Sequence, residues 1–286
     1  QETVHLLFPP ADSLAGNLIN RIVRDGWRAH VAEARIDISP TTDDRPFVAQ
    51  LGKWQNLTRE NLRQLQRLAE FDGFPLSKLT LVIILLVAIG ITLPLNLLPY
   101  LKRGAKLRPI PWLYFFAIGV AFMAVEVVLI QRYTLFIGAS LYSIATVLLT
   151  LLVAAGLGSR FSPRVADRTA FLAIVGWLLL EVLVFRSVTG ALSSLPLAGR
   201  IVVTTLLLFP LGFFMGMPFP KAVLRVGDLV DWGFAVNGAA SVLGATAAVM
   251  VAFTWGFTAA LLCAAAVYLG AWGLMRLVSQ WEIIAP

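Results

Sequence analysis

The sequence predicts an all-α polytopic membrane protein, a bundle of about seven transmembrane helices with a small polar N-terminal segment. Three observations predict it. Apolar runs of about 20 residues recur along the chain, each long enough to cross ~30 Å of hydrocarbon. Of 286 residues, 58% are hydrophobic and only 14% are charged, against about 25% charged in soluble domains. The mean hydropathy is +0.81.

Composition also narrows the partners and the chemistry. The net charge is +7, and most of the excess Lys and Arg flanks apolar runs. The expected partner is therefore the lipid bilayer and not nucleic acid. One cysteine, Cys263, excludes an intramolecular disulfide and a cysteine metal cluster. His5 and His30 both precede the first span, so no histidine within the spans can ligate haem. No cofactor and no metal are expected. Gln1 in place of Met leads us to expect a processed or partial product.

Residues 1–77 read as a polar segment. Val4 to Phe8, before Pro9 and Pro10, suggests a short strand and a turn. Leu14 to Gly26 suggests a helix ended by glycine. Val31 to Ile38 alternates weakly and suggests a strand. Thr58 can cap an amphipathic helix reaching Phe71, with Leu62, Leu65 and Leu68 on one face and Arg59, Arg63 and Arg67 on another. Such a helix can rest on the bilayer surface.

The membrane part covers residues 78–276, followed by a short tail, 277–286. The spans read as Leu79–Leu101, Trp112–Gln131, Leu141–Leu157, Thr169–Phe185, Ile201–Met217, Phe234–Phe253 and Thr258–Leu274. Pro94 and Pro99 are expected to distort the end of the first. Lys102, Arg103, Lys106, Arg108, Arg160, Arg164, Arg168, Lys221, Arg225 and Arg276 lie in alternate links, against Arg132, Arg186 and Arg200 in the others. The positive-inside rule then puts the N-terminal segment outside and the C-terminus in the cytoplasm.

Glu126 stands in the apolar run Ile118 to Ile130. An unpaired charge there costs ~3 kcal/mol or more, so it faces a protein interior or a wet cavity. It is either a proton or cation site or a carboxylic acid joining two helices. Gln131, five residues on, falls on a different face, and with Arg132 is expected to reach the interface. Glu181 is expected at a span end, satisfied by Arg186 or solvent. Gly233, Asn237, Ser241, Ala245 and Ala248 form one small-residue face, with Gly244 beside it. That face suits close helix packing, with Asn237 hydrogen bonding across it or lining a ligand cavity. Gly212 and Gly216 make a GxxxG match. Met217 to Lys221 is expected to be a hinge or a rigid turn with a basic anchor. Dinucleotide loops, Walker A motifs, nucleophile elbows and zinc or calcium motifs do not occur in the sequence.

Thr42-Asp-Asp-Arg-Pro-Phe47, Glu126-Val-Val-Leu-Ile-Gln131, Leu157-Gly-Ser159, Gly216-Met-Pro-Phe-Pro220 and Val236 to Gly244 occur in this order. The set resembles the C-terminal membrane half of bacterial membrane-bound spermidine-synthase-like proteins, over about residues 35 to 270. The resemblance implies an inner-membrane location and an aminopropyltransferase-like fold upstream. That family's glycine- and acid-rich cosubstrate loop does not occur here. The expected function is therefore a non-catalytic membrane domain, a structural or assembly subunit working with other membrane proteins. One alternative is a transporter-like module for a small cationic ligand such as a polyamine, held by Glu126 and Asn237. The other is the membrane anchor of an enzyme whose catalytic domain is not in this chain.

Overall fold

The computed structural model describes residues 18–47, 51–63, 73–97 and 106–277, and side chains for most of them. The expected strand at Val4 to Phe8, Pro99, the later part of the helix expected to reach Phe71, and most of the C-terminal tail lie outside the described residues. Among those described there is no strand. The chain is an all-α polytopic membrane protein. It divides into two units, residues 1–42 with 46–80, and residues 43–45 with 81–286.

In the first unit, α1 (Leu18–Asp25) ends before Gly26, whose φ of 81° needs no Cβ penalty. Helix α2 (Trp27–His30) follows directly. The strand expected at Val31 to Ile38 is a run of turns and bends instead. Its backbone oxygens are taken by side chains: Lys53 donates to Val31 and Ala34, and Asn56 donates to Arg35 at 2.9 Å. Without a neighbouring strand, weak alternation alone has no ladder to join. Thr58 caps α3 (Arg59–Arg63), its Oγ accepting from Asn61 N at 3.2 Å.

The second unit is built of long apolar helices. Among the described residues, six continuous helical segments are long and apolar enough to cross a membrane. One of them, Leu197–Trp255, has 59 residues, about 90 Å if straight and three times the hydrocarbon thickness. It folds back on itself as α8 (Leu197–Met215), the short α9 (Pro218–Val226) and α10 (Val230–Trp255). The others are α4 (Leu76–Leu97), α5 (Pro109–Ile137), α6 (Leu141–Phe161), α7 (Asp167–Ala191) and α11 (Phe257–Arg276). Each span expected from sequence has its helix. The structure lengthens several at their polar ends, because Pro109, Asp167 and Arg276 are tolerated in first and last turns. Pro94 lies in the last turn of α4, as expected.

Contacts fix the helix directions. Tyr114 at the start of α5 meets Phe171 early in α7, while Tyr133 near its end meets Phe185 late in α7. So α5 and α7 run parallel. Phe115 meets Gly233 and Val120 meets Gly244, so α5 and α10 run parallel too. Thr150 meets Thr205, and Gly158 meets Phe213, so α6 and α8 are parallel. The pattern reverses the chain between α5 and α6, α6 and α7, and α7 and α8, and puts the link from α6 to α7 at the same end of the bundle as α9, where Lys221 and Arg225 reach Asp167.

Close packing is glycine-dependent. A Cβ on Gly158 would overlap the Phe213 carbonyl, one on Gly216 the Ala155 carbonyl, and one on Gly244 the Val120 carbonyl. These are the close backbone approaches that hold helices together in lipid, where the hydrophobic effect gives no sorting force. The GxxxG of α8 therefore packs on α6, and the small-residue face of α10 packs on α5. At the basic end, Asp167 pairs with Lys221 at 3.1 Å and Arg225 at 2.6 Å. Lys221 is buried and also donates to Val165 O. The proline-rich turn is thus a bolted anchor between α9 and α7.

Candidate functional site

Helix α5 is the axis of the bundle, and it places the polar side chains that matter. At the end opposite the basic one, Arg132 and Tyr133 face α7. Tyr133 donates its hydroxyl to Glu181 Oε1 at 2.6 Å. The Tyr133 ring stands edge-on to Phe185, centroids 5.1 Å apart, and the Arg132 guanidinium lies 4.1 Å over that same ring. Glu181 and Phe185 are four apart on α7 and therefore share one face. Arg132 and Glu181 are each only 4% exposed. Arg132 Nη1 and Glu181 Oε2 are buried and have no hydrogen-bond partner, and the two side chains do not close into an ion pair with each other. A donor on Arg132 and an acceptor on Glu181 are thus each left without a partner in the protein.

Two expectations change here. Arg132 is not at the interface but inside the bundle, because α7 offers an aromatic face and a carboxylate beside it. Glu181 is satisfied on one oxygen by Tyr133 and not by Arg186, which is exposed. Gln131 is half-buried, and its Oε1 also lacks a partner.

A cleft of about 330 Å³ opens at the same end, between Asp43, Phe136, Phe185, Arg186, Thr189 and Arg200. Phe185 belongs to both places: it carries the guanidinium and lines the cleft. Arg200 is held by its donations to Leu195 O at 2.9 Å and Phe136 O at 3.2 Å. Asp43 to Arg45, the middle of the Thr-Asp-Asp-Arg-Pro-Phe motif, belong to this unit as well. Asp44 Oδ1 accepts from Thr258 N at 2.8 Å and from Thr258 Oγ1 at 2.6 Å, and Asp44 O accepts from Phe257 N at 2.8 Å. Asp44 is thus an N-cap for α11 supplied from far away in sequence, with its charge on the positive end of the helix dipole.

A second cavity, about 190 Å³, lies towards the basic end, against Phe122, Gly216, Pro218, Phe219, Asn237 and Tyr268. Asn237 donates its amide to Phe115 O at 3.1 Å, and Ser241 bonds back to Asn237 O at 2.9 Å. Tyr268 is 1% exposed, and its hydroxyl has no partner.

Glu126 is half-buried on α5 and belongs to neither lining. It stands seven residues beyond Gly119, where Asn237 packs, about 10 Å along the helix. The structure does not bring Glu126 and Asn237 together. Gly233 packs on the Phe115 ring, Gly212 on Ala154 and Leu151. Tyr133, Tyr268 and Asp44 were not singled out from the sequence. Tyrosines are ordinary in apolar runs, and only the tertiary contacts reveal which hydroxyls are free.

Among the described residues, no group of three or more His, Cys, Asp and Glu side chains is arranged to hold a metal ion. Comparison with protein-family models, curated proteins and solved structures finds no match to this chain. Nothing in these comparisons links the chain to spermidine-synthase-like proteins.

Proposed function

We propose that this chain is a non-catalytic integral membrane domain, a structural or assembly subunit of a larger membrane complex. The observation that carries this reading is α4. Only 11% of its most apolar window is buried, against 33% to 50% for the other candidate spans. Ile83, Val87, Ile91 and Leu95 form an exposed stripe at helical spacing. Gly90 has open space where a Cβ would be, and Asn96 Oδ1 has no partner. Small residues and free amides are what helices use to associate in lipid. The remaining helices close on one another at glycines, which suits a scaffold.

A bacterial inner-membrane location follows from the motif resemblance. A cytoplasmic basic end and C-terminus follow from the positive-inside rule. The cation-transport alternative is less favoured, because its two proposed ligands, Glu126 and Asn237, are turns apart.

Photo-crosslinking tests the reading. A photoreactive residue at Val87 or Ile91 in native membranes is expected to give a discrete protein adduct. The same probe at Leu206, on the exposed face of α8, gives lipid adducts. Lipid adducts alone at every α4 position would refute the reading.

A further inference from the structure

We propose that the cleft of about 330 Å³ at the end opposite the basic one binds the headgroup of a phospholipid carrying both a phosphate and a primary ammonium, as phosphatidylethanolamine does. Three charged side chains line this cleft: Arg186, Arg200 and Asp43. Among the described residues, the side chains of Arg186 and Asp43 have no partner, and no ion pair joins Asp43 to either arginine. Arg200 is half-buried, and its Nε and Nη1 donate to Leu195 O and Phe136 O. Those two bonds hold the guanidinium at the cleft and leave Nη2 without a protein partner. Arginine is the side chain whose donors best match a phosphate. Two guanidinium groups against one carboxylate make the cleft favour an anion, while Asp43 gives the same cleft an acceptor for a cationic group.

The depth of the cleft favours a lipid as the source of that headgroup. Asp167 is ion-paired at the basic end. Arg186 lies further along the same helix, about 28 Å from Asp167. The hydrocarbon layer is ~30 Å thick, so Arg186 emerges at the headgroup level of the opposite leaflet. Leu179 and Leu183 precede it at helical spacing and are 43% and 75% exposed. They form an apolar track from the cleft into the bilayer, and exposed Leu135 lines the cleft itself. Acyl chains thus have a surface to follow beneath the headgroup. The ammonium is primary because Asp43 offers hydrogen-bond acceptors, and a quaternary ammonium has no N–H to donate to them. A glycerol headgroup brings no cation to Asp43. This site is separate from the proposed assembly role, and its failure leaves that role standing.

The test is native mass spectrometry of the purified chain in detergent. Phosphatidylethanolamine, phosphatidylcholine and phosphatidylglycerol with identical acyl chains are added in equal amounts. The ethanolamine lipid is expected to populate a one-lipid adduct at least fivefold more than either of the others. Asp43→Asn is expected to erase that preference while lipid binding persists. Arg186→Gln is expected to weaken the binding of all three at least fivefold. Both side chains are exposed, and the wild-type comparison needs no variant to fold. Equal adducts of the three lipids would mean an unselective lipid shell and would overturn the proposal. So would a preference that survives both substitutions. Soluble glycerophosphoethanolamine is the fourth probe. Binding as tight as that of the whole lipid would assign the cleft to a free phosphate ester and overturn the lipid assignment.

Discussion

Asp44 shows how one side chain far from a helix can set its end. Helix α11 begins at Phe257 after Gly256, which has no side chain to cap with and a φ of 93°. Asp44 supplies the missing acceptor, and a Cβ on Gly256 would overlap its carboxylate. Asp44→Ala is expected to lower stability by about 1–2 kcal/mol, and Asp44→Asn by less, measured by unfolding in mixed micelles. No loss in the alanine variant would show that water caps α11 equally well. The motif was legible in the sequence as a motif, but its task was not, because Thr258 is 214 residues away. Outside the membrane part, Arg21 donates to Glu33 at 2.7 Å. That hydrogen bond, then the Arg21 charge, hold the Glu33 carboxyl below its ordinary 4.5. A lowered folded value means the contribution is present above about pH 4.5 and is lost as pH falls through the folded value. Arg21→Gln is expected to move the Glu33 titration upward, as carbon-13 NMR of the carboxyl would show. An unmoved titration would mean that the pair does not form.

Helices were the most readable elements. A run of about 20 apolar residues has few other uses, so each long helix was foreseen, although α5 and α7 run six residues past their expected ends, to Ile137 and Ala191. Pairing was less readable. The small-residue face of α10 announced a close neighbour but could not say that the neighbour was α5. GxxxG in α8 gave no partner either, and α6 fills that place through Gly158 as much as through Gly212 and Gly216. Gly158→Leu or Gly244→Leu is expected to cost about 1–3 kcal/mol or more, since a backbone carbonyl stands where the side chain would go. Gly90→Ala in the isolated chain is expected to be neutral or mildly stabilising, because nothing lies within 4 Å of its Cβ position. A thermal melt of the three variants in detergent separates these outcomes. Equal melts for all three would contradict the packing described. The strand expected at Val31 to Ile38 failed for a related reason: pairing partners, which periodicity cannot supply, decide whether a short alternating run becomes a strand.

Across the molecule, the helices from α5 to α11 pack on one another, while α4 is mostly exposed, with 11% of its most apolar window buried. Polar residues are concentrated at the two ends: ion pairs around Asp167 at the basic end, Asp44 and the Arg132–Glu181 pair at the other. Glu126 drew attention in the sequence as a lone carboxylate in an apolar run. The structure gives the richer geometry to Glu181, which looked like an interface residue because its span was expected to end at Phe185, whereas α7 continues to Ala191. Burial at this scale depends on which helices surround a position, and sequence alone does not say. The proposed role places this chain within an assembly. It is tested most directly by native mass measurement after extraction from its own membrane in mild detergent, with every co-purifying polypeptide identified. Other membrane proteins at a fixed stoichiometry are the expected result. A monodisperse particle holding a single copy of this polypeptide and no other protein would contradict it.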